Sequence, residues 1–190
     1  MKKSLGAATI AMPTPTWLVG TYDEDGKANI ATIAWGGVCC SEPPAVAVSL
    51  RKSRYTYDAV IKRKAFTINV ASEAYAAAAD YAGIASGRNT DKFAAAGLTA
   101  VRSELVDAPY VAEFPLVLEC RLLQTVEIGV HIQFIGEIVD VKADEDVLDA
   151  DGNVDARKAL PLIYSPSDRN YYGIGKLVGK GFDIGRKLLK

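Results

Sequence analysis

Residues 16–35, TWLVGTYDEDGKANIATIAW, set two apolar runs on either side of Asp23, Glu24, Asp25 and Gly26. An Asp-Gly step between such runs is a strong local signal for a β-hairpin, because glycine takes the positive φ that a tight turn needs. The chain is thereby committed near its start to antiparallel pairing. The downstream residues keep to that commitment. SEPP breaks the chain, and AVAVSL alternates as a further strand. AFTINV is another strand, and PLVLECRLLQTVEI and HIQFIGEIVDVKA are two longer ones. In the last of these Ile132, Phe134, Gly136 and Ile138 share one face, while His131, Gln133, Ile135 and Glu137 share the other. Short helices interleave. YTYDAVIKRK has Thr56 as its cap, SEAYAAAADYAG runs from Ser72 to a stop at Gly83, and DKFAAAG ends at Gly97. The absence of regular strand-helix alternation argues against a doubly wound parallel sheet. About six strands joined mostly by tight turns predict a mainly β protein, a closed antiparallel barrel with short peripheral helices.

At 190 residues and 49% hydrophobic, the chain can bury one real core. With no repeat or linker, a single domain over 1–175 and a basic tail over 176–190 are expected. The net charge of -1 gives no reason to expect nucleic acid or an acidic membrane as a partner. That sum hides an uneven distribution. Residues 51–64 hold six cations against Asp58 alone, a local +5, and residues 137–155 hold eight acids against Lys142, a local -7. The first region could hold an anion; the second reads as a solvated surface loop. Three cysteines without framework spacing, Cys39, Cys40 and Cys120, point to a reducing compartment rather than a disulfide scaffold. The vicinal pair reads as buried or structural, since no basic residue adjoins it to lower a thiol pKa. His131 is the only histidine, which leaves a His/Cys zinc site without nearby ligands, so no metal is expected. MKKSLGAATIAMPTP is short, Ala-rich and lacks a cleavage site, and no window approaches the roughly 18 apolar residues of a span. A cytoplasmic location is the expectation.

Four stretches carry chemistry. SLRKSRYT, residues 49–56, ends a strand and opens a helix. It gathers Arg51, Lys52 and Arg54 with the hydroxyls of Ser49, Ser53, Tyr55 and Thr56 where helix N–H groups are free, which suits a phosphate dianion. A solvated basic turn would read the same way. In KANIATIAWGG the small residues Ala28, Ala31 and Ala34 leave a strand's polar groups open to a planar molecule that Trp35 could border. Barrel-corner positions, where small residues let strands bend, explain the same composition. His131, at the start of a strand, is either a surface residue or a ligand contact. Lys92, in SGRNTDKF, is a candidate positive charge beside an electron-rich ring. Two further stretches are set aside. GIGKLVG at 173–179 has no room for a βαβ unit after it, and DADGN at 149–153 lacks the acidic residue a calcium loop requires.

Taken in order, PTPTWLVGTYDEDGKANIATIAW, SEPPAVAVSLRKSRYTYDAV, FTINV, DKF, HIQFIGEIVDV and LIYSP resemble the flavin reductase-like family of FMN-binding split-barrel proteins, in particular its flavoredoxin-type branch. The resemblance implies an antiparallel split β-barrel, FMN as cofactor, and a homodimer with the flavin near the subunit boundary. It implies that Asn29 and the backbone of Ala31, Thr32, Ile33, Ala34 and Trp35 border the isoalloxazine. Ser49, Leu50, Arg51, Arg54, Tyr55 and Thr56 would hold the phosphate segment. Lys92 would reach the flavin from its loop and His131 would stand at the exposed side; these two are the catalytic candidates. Tyr164 would come close to the ring. The family commonly has an acidic residue just before the histidine, where this chain has Val130, which weakens the case for a pyridine nucleotide there. The implied activity is NAD(P)H:flavin oxidoreductase-like, moving electrons from NAD(P)H or a redox protein. The alternatives are an electron carrier without intrinsic NAD(P)H activity and a non-redox flavin-binding module.

Overall fold

The computed structural model describes residues 1–189. Its first strands are β1 (Thr14–Pro15), β2 (Trp17–Tyr22), β3 (Ala28–Ile33), β4 (Gly36–Ser41) and β5 (Pro44–Arg51). Helix α1 (Tyr55–Arg63), strand β6 (Ala65–Val70), and helices α2 (Ala76–Ile84) and α3 (Lys92–Ala96) come next. Then come β7 (Ala100–Arg102), β8 (Pro109–Val111), β9 (Leu116–Ile128) and β10 (His131–Ala143). Helix α4 (Ala156–Ala159) and strands β11 (Ile163–Ser165) and β12 (Asn170–Tyr172) complete the folded part.

One seven-stranded sheet, ordered β3-β2-β6-β9-β10-β5-β4, carries the architecture, and every pairing in it is antiparallel. The sheet curls on itself. Ile33 at one edge shares a core with Val46, Val48 and Leu50 near the other, together with Phe66, Ile68 and Phe134. Each large side chain buried in this way contributes about 1.5–3 kcal/mol. Gly136 on β10 lets the wall close, because a Cβ there would lie 2.5 Å from the Phe66 ring. Helix α1 packs Val60 against this core. The faces expected for β10 are those observed: Ile132, Phe134 and Gly136 are buried, and His131, Gln133 and Ile135 are half-buried.

The barrel is split rather than closed. Strand β3 is hydrogen-bonded to β2 alone, and the chain crosses the gap through Ala34 and Trp35 before entering β4. Across that seam the Ser49 N–H donates to the Trp35 carbonyl at 2.8 Å. Outside the barrel, Leu18 and Ile30 pack with Ala79 and Ala82 of α2, Phe93 of α3, Val111 and Phe114. Strand β6 is covered on both faces, so its polar residues are all bonded. Asn69 Nδ2 donates to the Leu18 carbonyl at 2.9 Å, Asn69 Oδ1 accepts from the Val111 N–H at 2.8 Å, and the Thr67 hydroxyl donates to the Pro109 carbonyl.

Several local expectations change. Thr56 is not the cap of α1; Arg54 occupies that position and no side chain caps the helix. Gly83 lies within α2, which runs on to Ile84. Gly97 does end α3, at φ 65°, and Asp91 caps its start through the Ala94 N–H. Strand β4 is not among the expected strands, because GGVCCS has little strand propensity; pairing with β5 overrides it. Cys39 and Cys40 sit on that edge strand and are exposed, not buried. No helix of the described residues is long and apolar enough to cross a membrane. Among them no cluster of three or more His, Cys, Asp or Glu side chains could hold a metal ion.

Candidate functional site

The seam is where the chemistry-bearing residues meet. Three contiguous cavities share Thr32 of β3. The innermost, about 80 Å³, lies between β3, the start of α1 and residues 83–88, and is lined by Arg54, Tyr55, Thr56, Arg88 and Lys92 among others. A second, about 280 Å³, is cationic: Arg51, Arg54, Ser49 and His131 face Thr32–Trp35. The third, about 410 Å³, is aromatic, with Trp35, Tyr164 and Tyr171 beside Asp80 and Arg169.

Helix α1 explains the inner lobe. With no side-chain cap, the Tyr55 and Thr56 N–H groups that open this nine-residue helix have no partner among the described residues, and Ser53 and Arg54 line the cavity beside them. Arg88, from the loop after α2, closes the same end. Its guanidinium donates to the Ser53 carbonyl at 3.1 Å and lies 5.6 Å from the centre of the Tyr55 ring. The Tyr55 hydroxyl is committed elsewhere, donating to Asp23 Oδ2 at 2.8 Å. Burial alone would raise the Asp23 carboxyl, but the Lys27 N–H, the Tyr55 hydroxyl and the Asp25 N–H outweigh it and hold it below the ordinary carboxylate range. Tyr55 therefore offers the trough its ring and not its oxygen.

Lys92 is buried, and its ammonium donates to the carbonyls of Ile30 (2.8 Å) and Ala82 (2.7 Å). Ala82 is in the last turn of α2, where carbonyls lack helical partners, so Lys92 ties that helix end to β3. Burial, and secondarily the Arg54 charge, lower its pKa to about 8. One of its three N–H groups remains for a ligand in the inner lobe.

The sequence-derived residues are gathered here with one qualification. Asn29 does not line the trough; it is buried beneath it, its amide donating to Thr56 Oγ1 at 3.0 Å while its own Oδ1 has no partner. Gly87 lies directly over that oxygen, where a Cβ would come within 2.3 Å. His131 is the ladder partner of Arg51, so it stands among the cations at the trough's rim. Ala31, Thr32, Ile33, Ala34, Trp35, Ser49, Leu50, Arg51, Arg54, Tyr55, Thr56 and Tyr164 all line one lobe or another. Sequence reasoning missed Arg88, Arg169 and Tyr171. Arg88 was within reach, as a cation in the same Gly/Ser-rich loop as Lys92. Arg169 and Tyr171 gave no signal, because only the pairing of β11 with β12 brings them beside Tyr164. The Tyr164 and Tyr171 rings lie 5.4 Å apart. Burial first, and then its hydrogen bond to Asp80, raise the Tyr171 phenol.

Comparison with known proteins gives one consistent picture. Residues 9–175 match the family described as flavin reductase like domain. The structure is similar to flavoredoxin of Desulfovibrio vulgaris (Miyazaki F), with a TM-score of 0.94 and 56% identity over 97% of this chain and 100% of that one. It is similar also to flavoredoxin from Methanosarcina acetivorans, with a TM-score of 0.92 and 28% identity over 100% of both chains. In sequence it is 32% identical over 126 residues to the reductase component of 4-nitrophenol 4-monooxygenase/4-nitrocatechol 2-monooxygenase from Rhodococcus opacus. That match covers 65% of this chain and 63% of that protein.

Proposed function

Since the chain belongs to the flavin reductase-like family, we propose that it is an FMN-dependent oxidoreductase whose cofactor lies along the split between β3 and α1. The observation that carries this reading is the joining of an uncapped helix start, ringed by Arg51, Arg54 and Arg88, to the unpaired edge of β3. A phosphate needs the first and a planar ring with a polar edge needs the second. The donor set fits FMN: cations and hydroxyls at one end, small side chains at Ala31 and Ala34 along the wall, Trp35 and Tyr164 at the rim. Bound FMN supplies the redox chemistry, and the protein supplies position and electrostatics. Arg51, Arg54, Ser49, Ser53 and the α1 N–H groups hold the phosphate. Lys92 places positive charge inside the trough, which favours an electron-rich reduced ring. His131 stands at the open rim, where NAD(P)H or a redox protein delivers electrons. The visible spectrum of the purified protein, and the mass of the cofactor released on denaturation, test the reading; a colourless protein that takes up no added FMN would refute it.

The 56% identity with a flavoredoxin favours a second reading, an electron carrier served by a protein donor. Stopped-flow reduction separates the two, with fast bleaching by NADH or NADPH marking the reductase and bleaching by a protein donor alone marking the carrier. The flavin-binding unit runs over 1–175, and the chain works as a homodimer. Val38, Leu123, Ile128 and Val130 support that assembly, being large, apolar and exposed on β4, along β9 and in the β9–β10 turn.

A further inference from the structure

The last paired strand ends at Tyr172, yet the chain continues for seventeen described residues of unusual character. Leu177, Val178, Phe182, Leu188 and Leu189 are between 71 and 102% exposed. Among the described residues, every hydrogen bond beyond Tyr172 stays inside the segment 180–189. Arg186 pairs with Asp183 of the same segment, and among the described residues Lys176, Lys180 and Lys187 have no carboxylate within ion-pair distance. Large apolar side chains open to water along one segment mark a surface that a partner covers.

A complementary surface exists elsewhere on the chain. Asp144, Glu145, Asp146, Asp149 and Asp151 fall within eight residues without a cation between them, and all five are exposed. None forms an ion pair among the described residues. Partial loss of hydration first, and then the neighbouring Asp146, raise Asp144 above the ordinary carboxylate range. Val141, Val154 and Leu160 are exposed close by in sequence. The acids thus offer the positive segment its counter-charge, with apolar side chains alongside.

We infer that residues 173–189 form an arm that a second copy of this chain covers, its lysines set against the acids at 144–151 of that copy. The exchange is reciprocal in a two-fold dimer, each copy giving an arm and receiving one. Seventeen residues reach at most about 60 Å when extended, longer than a folded unit of this size is wide. The inference rests on the homodimer proposed above but not on the flavin. An anionic membrane is the rival cover, since a basic, apolar segment suits it too. A second copy is favoured because the chain itself carries the matching charge.

Zero-length carbodiimide coupling of the full chain, after subunit exchange between ¹⁴N- and ¹⁵N-labelled protein, tests the arm. The expected products are mixed-label peptides joining Lys176, Lys180 or Lys187 to the acids at 144–151. The double variant Lys180→Glu/Lys187→Glu should lose them and weaken the dimer at least tenfold in sedimentation. Mixed-label links are the outcome that supports exchange. A dimer that gives only same-label links, no links, or an unchanged dissociation constant in the variant overturns the arm while leaving the dimer standing. A full chain that sediments as a monomer overturns both. Arm residues shielded from protease only when anionic vesicles are added would assign the segment to a membrane instead.

Discussion

Replacing Lys92 with methionine keeps most of its unbranched stem, one atom shorter, and removes its charge and donors. In the native site two N–H groups are held by the Ile30 and Ala82 carbonyls, leaving one for the cofactor. A hydrogen bond from a charged donor contributes roughly 1.5–3 kcal/mol, so Lys92→Met should weaken FMN binding about 10- to 150-fold at neutral pH. The pH dependence is the sharper test. Because the ammonium loses its proton at about 8, the FMN affinity of the native protein should fall as pH rises through 8 towards 9.5, while that of the variant stays level. Stability without ligand should move the opposite way. The folded pKa is depressed from 10.5, so between about 8 and 10.5 the unfolded chain binds more protons and the fold gains stability with rising pH. The gap corresponds to at most about 3 kcal/mol, reduced by the two carbonyls, which favour the charged form. Fluorescence titration of FMN across that range, with urea unfolding of both proteins, measures the two slopes. Parallel affinity curves for native and variant protein would show that Lys92 serves only to tie α2 to β3.

Three other perturbations address the rest of the trough. Arg51→Ala should weaken FMN binding by roughly 1.5–3 kcal/mol, and unchanged affinity in the same titration would put the phosphate elsewhere. His131→Ala should slow reduction of bound flavin in stopped flow while leaving it bound; release of the cofactor would move His131 to the anion end with its ladder partner Arg51. Gly87→Ala forces a methyl against Asn29 and Tyr55 and should destabilise the fold by about 1–3 kcal/mol, seen as a lowered thermal midpoint, with FMN affinity falling as the inner lobe closes.

Much of the fold is legible in the residues themselves. The Asp-Gly hairpin, the two faces of β10 and the basic turn opening α1 are local patterns, and each survives in the fold. The split does not show in the residue pattern, because it depends on which strands end at the sheet's edges, and that is decided by pairing across the whole chain. GGVCCS becomes strand only because β5 lies beside it. Asn29 is a ring neighbour only by the family resemblance; its bond to Thr56 of α1 and the close approach of Gly87 are set by the fold and leave no mark in the sequence. Lys92 is visible as a charge; that two carbonyls claim most of its donors is not, since Ile30 and Ala82 are distant in sequence. Arg169 and Tyr171 become neighbours of the trough through a small outer sheet whose three strands are too short to announce themselves.

The exposed thiols of β4 have a practical consequence. Cys120 is sealed in the core, its thiol pushed up to about 12 by burial and by the adjacent Glu119, so alkylating reagents at neutral pH should spare it. Cys39 and Cys40 remain as a matched pair of chemical handles a few residues beyond the tryptophan at the trough's lip. Their labelling rate would register anything that comes to rest against that margin.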